Sequence, residues 1–181
     1  MTQLKKFFKF IVGSLITVIL ISVLLSSVSE KASSSDARIM LNRYKLQTTS
    51  ATGYSLNAYR PGHLRPVYML KTNTNDLDQR WTQSIRNDGW YNFRPAGNQG
   101  VCLNAHDNWN GANVFLYNCN DNDPDQAWQF VTLYPDDVVG LLRKPGTNFC
   151  LNAHYLSDGG KVNLWQCNNS DVDQQWQISS P

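Results

Sequence analysis

Glutamate is almost missing from this 181-residue chain: Glu30 is the only one. A pair of carboxylates working as acid and base, as in glycoside hydrolysis, would have to be two aspartates, and no spacing singles out such a pair. Charge is also scarce, at 17% of residues with a net of +2. Setting aside the first 29 residues, with Lys5, Lys6 and Lys9, leaves 13 basic against 14 acidic residues, a formal net of −1. The basic footprint of a nucleic-acid binder is therefore absent. The four cysteines include no closely spaced pair of the kind that ligates zinc. There is no G-x-S-x-G elbow, no H-E-x-x-H and no phosphate-cradling glycine loop. These absences argue against an enzyme, and no catalytic residue, cofactor or metal is expected. The acid-rich stretch Asp121–Asp125 lacks the glycine and terminal glutamate of an EF-hand loop and reads as a solvated turn. Asn168-Asn169-Ser170 is a glycosylation triplet only in a eukaryotic host.

The chain does have a long uncharged run, Phe10 to Val28, behind three lysines. It is long enough to span a bilayer, and Ser27-Val28-Ser29 offers a small-x-small cleavage site. Residues 1–29 are thus a signal peptide or a retained membrane anchor, followed by a linker over residues 30–36. In either case the positive flank stays inside and the rest is exported, secreted or tethered at the membrane by this segment alone. Cysteine placement agrees with an oxidising destination. All four lie in the exported part, and Cys102 to Cys119 and Cys150 to Cys167 are both separated by 17 residues. Four cysteines allow three connectivities, and the repeated interval favours these two pairs. Each closed loop would contribute on the order of 3 kcal/mol in the chain-entropy model.

Internal repetition is the strongest signal. Leu56-Asn57-Ala58, Leu103-Asn104-Ala105 and Leu151-Asn152-Ala153 are spaced by 47 and 48 residues. Val67, Val114 and Val162 keep the same register, as do Trp81, Trp128 and Trp176, each inside an Asp-Gln-x-Trp tetrad. The repeats run over about 37–83, 84–131 and 132–181. In the first, Ser55 and Thr72 occupy the two cysteine positions. Within the second repeat the turn residues separate strands at Trp90–Arg94, Gly100–Ala105, Asn113–Tyr117 and Gln126–Val131, with His106–Gly111 as a loop. No amphipathic helix is evident after residue 36. Three four-strand units make an all-β, twelve-strand, threefold structure the economical solution, with barrel closure removing exposed edges. Trp81, Trp128 and Trp176 are expected in the core, with Gln79, Gln126 and Gln174 satisfying buried backbone groups.

The three Gln-x-Trp tetrads, the Cys-Leu-x entry, the Val-x-Leu-Trp-x-Cys strand and the period near 47 resemble the ricin B-chain type of β-trefoil lectin. The resemblance covers residues 37–181 and implies non-enzymatic carbohydrate binding, with galactose-type sugars among the candidates. Carried over by position, its sugar-binding residues are Asn152, Asn163, Trp165 and Asp173 in the third repeat. In the second they are Asn104, Phe115, Tyr117 and Asp125, of which Asn104, Tyr117 and Asp125 have suitable chemistry. The first has Asn57, Tyr68, Leu70 and Asp78, and Leu70 removes the aromatic floor. The family's usual acid is asparagine in all three repeats, whereas the residue before the Gln is aspartate where the ricin chain has asparagine. Amide and carboxylate have thus exchanged places, leaving Asp125 and Asp173 to make charge-assisted hydrogen bonds to hydroxyls. His106 and His154, with Tyr59 in the first repeat, follow at equivalent positions as either solvated loop residues or ligand contacts. Two other readings stand beside this one. One is the targeting subunit of a secreted toxin, which would carry an exposed aromatic patch around Trp90 or Trp109. The other is a trefoil that binds a protein, for which the uniform Asn57, Asn104 and Asn152 speak.

Overall fold

The structure, a computed structural model, describes residues 43–49, 53–133 and 138–179. The expected signal or anchor over residues 1–29 and the linker over residues 30–36 lie outside the described residues.

All regular structure here is strand, apart from two short 3-10 turns, Leu77–Gln79 and Pro124–Gln126. The first repeat contains β1 (Lys45–Thr48), β2 (Tyr54–Asn57), β3 (Arg65–Pro66), β4 (Tyr68–Lys71) and β5 (Trp81–Ile85). The second contains β6 (Tyr91–Pro95), β7 (Val101–Asn104), β8 (Phe115–Asn118) and β9 (Gln129–Thr132). In the third are β10 (Val139–Arg143), β11 (Phe149–Asn152), β12 (Gly160–Lys161), β13 (Asn163–Gln166) and β14 (Trp176–Ser179).

Six strands close a ring. β5 pairs with β6, β9 with β10, β10 with β14, and β14 with β1. Single bridges at Tyr44–Trp81 and Tyr91–Trp128 complete the circle between β1 and β5 and between β6 and β9. Three hairpins, β2–β4, β7–β8 and β11–β13, form the cap. This is the β-trefoil arrangement. Two dipeptide strands go beyond the expected twelve. β3 pairs with β8 of the next repeat and β12 with β4 of the first, while Asn113 bridges to Asn163 in the third. Two residues are too few to show an alternating pattern, so the sequence carries no signal for these strands. The strand expected over Gln126–Val131 also begins later, since Gln126 ends the 3-10 turn and Trp128 makes only an isolated bridge.

Alternation within each cap hairpin decides what faces where. Leu56 and Met69, Leu103 and Leu116, and Leu151 and Leu164 are opposed across their hairpins and have no solvent exposure. They join Trp81, Trp128 and Trp176 in one core. Each indole N–H donates to the carbonyl of the leucine 25 residues earlier, Leu56, Leu103 or Leu151, at 2.8–2.9 Å. Each preceding glutamine is buried and works as a two-handed brace. Gln79 donates to the Lys71 carbonyl and accepts from the Asn73 amide. Gln126 does the same with Asn118 and Asn120, and Gln174 with Gln166 and Asn168. Such bonding lets polar side chains and irregular backbone enter the interior without orphaned groups.

Disulfides join Cys102 to Cys119 and Cys150 to Cys167. In the first repeat the Ser55 and Thr72 hydroxyls lie 2.9 Å apart and share a hydrogen bond, so the same two positions still meet.

Candidate functional site

The outward face of each cap hairpin gathers the residues singled out from the sequence. On β11 and β13, Cys150 is opposite Trp165 and Asn152 opposite Asn163, so all four share the face away from Leu151 and Leu164. On β7 and β8 the corresponding face carries Cys102, Tyr117, Asn104 and Phe115. The first repeat presents Ser55, Leu70, Asn57 and Tyr68 there, without an aromatic platform at Leu70.

The remaining candidate residue arrives from the turn before the core indole, a 3-10 turn in the first two repeats. The amides of Ala58, Ala105 and Ala153 donate to the carbonyls of Asp78, Asp125 and Asp173 at 2.8–2.9 Å, pinning each turn beside the end of its hairpin strand. Another aspartate holds each turn in shape: Asp76 accepts from the Asp78 amide, Asp123 from Asp125 and Asp171 from Asp173. These are N-cap contacts of the ordinary kind. The repeated element is therefore Asp-x-Asp-Gln-x-Trp. Its first aspartate kept the 47- and 48-residue register in plain view, but the sequence reading stopped at the second.

Trp165 is 40% exposed and Tyr117 37%, so both rings reach solvent. Asn152 and Asn163, by contrast, are 2% and 8% exposed, and neither the Nδ2 of Asn152 nor the Oδ1 of Asn163 has a hydrogen-bond partner. Asn104 is also buried. In the first repeat the buried Asn57 is committed inside the protein: its Nδ2 donates to Asp76 at 2.8 Å and its Oδ1 accepts from the Tyr59 amide. Asp78 there accepts from the Arg60 amide at 3.0 Å.

His106 and His154 each stand beside the carboxylate of their own repeat's turn. His106 Nδ1 lies 2.5 Å from Asp125 Oδ2, and hydrogen bonding to that carboxylate, then its charge and those of Asp107 and Asp123, raise the imidazole pKa above its usual value. His154 Nδ1 lies 3.8 Å from Asp173 Oδ2, and its ring runs parallel to Trp165, 6.2 Å between centroids. The carboxylates expected to meet hydroxyls share their sites with imidazoles.

The loops after the cap strands leave their own repeat. The loop over 59–64 begins at the first pocket, yet His63 accepts from the Asn118 amide at 3.3 Å and packs on Tyr117, 4.1 Å between ring centroids. The loop over 106–111 begins with His106 at the second pocket, yet Asn110 accepts from the Gln166 amide at 2.7 Å. Asp158, at the matching place in the third repeat, accepts from the Lys71 amide at 2.6 Å. Each cap hairpin thus has a flanking loop supplied by the preceding repeat, in a closed cycle. Position-by-position reading missed this because His63, Asn110 and Asp158 share a register and an acceptor role but no residue type.

The turn of the second repeat has an extra support. The buried Arg86 is held by Asp88 and Asn92 and donates to the Asp123 carbonyl at 3.0 Å. Lys144, also buried, donates to the Pro124 carbonyl at 2.8 Å, and burial pulls its pKa down to about 8. Beside Arg86 lies a cleft of about 590 Å³ whose walls include Trp90, Pro124 and Pro145. Trp90 is half-buried there, whereas Trp109 is 53% exposed.

Solved structures with the same fold include a designed threefold-symmetric protein, ThreeFoil. It is 22% identical over 77% of this chain and 99% of its own, with a TM-score of 0.67. A ricin B-like lectin from Macrolepiota procera, solved in complex with lactose, is 17% identical over 78% of this chain and 96% of its own, with a TM-score of 0.65. A mosquitocidal holotoxin matches 77% of this chain with 17% of its own length, at 14% identity and a TM-score of 0.67. No curated protein matches the sequence. The family model of the ricin-type beta-trefoil lectin domain matches residues 89–181. With that match spanning the second and third repeats, and Trp165, Asn152 and Asn163 set on one hairpin face, the chain belongs to the ricin-type β-trefoil lectin domain family.

Proposed function

We propose that this protein is an extracytoplasmic, non-enzymatic lectin whose sugar pockets lie in the third and second repeats, the third being the stronger. The observation that carries this reading is the pair Asn152 and Asn163. A buried donor and a buried acceptor without partners cost free energy in a folded protein, on the order of 1–3 kcal/mol each. Here they share a face with the exposed Trp165. A saccharide offers what that face lacks: hydroxyls that donate and accept, next to an apolar C–H surface suited to an indole. Asp173 stands at the rim as a charged acceptor. In the second pocket Asn104, Tyr117 and Asp125 play the corresponding parts, with His106 already on the carboxylate. The lactose-bound Macrolepiota lectin makes galactose-type sugars the first class to try.

A glycan array probed with the full chain tests this. Binding is expected to fall about tenfold or more in Trp165→Ala and in Asp173→Ala, each with an unchanged circular dichroism spectrum. Absence of any glycan signal from the wild-type protein would remove the reading. A second reading is a targeting module for a larger toxin. The holotoxin, of which a trefoil of this kind is a small part, and the exposed Trp109 favour it. Co-purification of a second polypeptide with the exported protein would support that role.

A further inference from the structure

One exposed aromatic residue stands beside the third pocket without belonging to it. Trp109 is carried by the second repeat, on the loop that crosses over to β13. That crossing is firmly held. The Gly111 amide donates to the Leu164 carbonyl at 2.8 Å, the Leu164 amide returns a bond to Ala112 at 2.9 Å, and Asn110 accepts from Gln166. Gly111 sits at φ +88°, a conformation that favours glycine, and it makes the crossing close. A Cβ placed on Gly111 would lie 3.6 Å from the Trp109 ring and 3.9 Å from the Trp165 ring. Two indoles from different repeats therefore flank a single backbone point, and both are open to solvent.

The other loops do not repeat this arrangement. Where the second loop carries Trp109, the first carries Gly62 and the third Ser157. At the second pocket the neighbouring repeat contributes His63, which packs on Tyr117 and adds no exposed ring of comparable size. An exposed tryptophan held by a fixed loop next to a sugar platform has a plain chemical use. It is an apolar face for the next residue of an oligosaccharide, offered with little ordering entropy still to be lost.

We propose that Trp109 forms a second saccharide subsite beside Trp165, so that the third pocket recognises two linked sugar residues while the second recognises one. This rests on the lectin reading above. The test is a titration of the full-length protein with lactose, cellobiose and diacetylchitobiose, alongside the methyl glycosides of galactose, glucose and N-acetylglucosamine. The readouts are affinity and the ¹⁵N-resolved indole N–H signals. Those of the buried Trp81, Trp128 and Trp176 serve as internal references. The preferred disaccharide is expected to shift both Trp109 and Trp165, and its monosaccharide only Trp165. Trp109→Ala is expected to weaken the disaccharide about tenfold and leave the monosaccharide unchanged, with Trp109→Phe retaining most of the difference. A disaccharide that moves Trp165 but not Trp109, or a Trp109→Ala variant that treats both ligand sizes as the wild type does, overturns the subsite and leaves the lectin standing. If no sugar moves either indole and the array is silent, both ideas fall together.

Discussion

His106 and Asp125 are 2.5 Å apart, on a loop and a turn that come from different parts of the second repeat. The carboxylate raises the imidazole pKa in the folded protein above the value of an unfolded chain, about 6.5. What the pair adds to stability is therefore complete below that unfolded value and fades as pH climbs through the raised one. In an NMR titration the His106 ring should change charge above the ordinary histidine midpoint, and Asp125→Asn should return it toward that midpoint. A wild-type midpoint at or below the ordinary value would contradict the assigned contact. At this scale the sequence was generous with identities and poor with partners. Asp125 and Asp173 could be named from their place before the Gln, but their closeness to His106 and His154 depends on loop conformation, which a list of residue types does not encode. Likewise the repeat register places Asn152 and Asn163 at matching strand positions, whereas their burial without partners is not legible in it.

The hairpin β2–β4 tells what becomes of an element when its covalent tie is absent. Ser55 and Thr72 keep the register of Cys102–Cys119 and Cys150–Cys167 and hold each other by a hydroxyl hydrogen bond. The first-repeat positions are thus already placed for a third bridge. The double variant Ser55→Cys, Thr72→Cys should oxidise to a disulfide and stabilise the protein by about 3 kcal/mol, the chain-entropy value for a loop of this size. Thermal or urea unfolding of the oxidised double variant beside the oxidised wild type would show it; equal midpoints for the two proteins would refute it. Elements were legible wherever aliphatic and aromatic residues run between turn residues, as in Cys102–Leu103–Asn104 opposite Phe115–Leu116–Tyr117. They were read badly around Gln126, where a capping aspartate and a proline wind the chain into a 3-10 turn just before the core indole. The capping aspartates Asp76, Asp123 and Asp171 announced that turn three times over.

For the molecule as a whole, the question is whether three similar units behave as three or as one. In an open array of repeats each unit touches only its neighbours, and unfolding can proceed from an end. Here β14 pairs with β1, and the cap contacts run from first to second, second to third and third back to first, so there is no end from which to fray. Urea unfolding followed by tryptophan fluorescence, which reports the buried indoles, and by far-ultraviolet circular dichroism should give coincident single transitions. Separate midpoints for the two signals would mean that the repeats come apart independently. The threefold plan was visible in the sequence because Leu-Asn-Ala, Val and Asp-Gln-x-Trp mark the same register. The lacing was not, since backbone amides supply one half of every tie and chemically different side chains, His63, Asn110 and Asp158, supply the other.

That lacing puts the period of the sequence and the period of the candidate site out of phase. A graft cut at repeat boundaries would bring a pocket's platform and turn but leave its far wall behind on the donor. The portable unit instead begins inside one crossing loop and stops inside the next. Any engineered copy of the third pocket has to import residues 106–112 of the second repeat along with β11 to β14, or it arrives with one side missing.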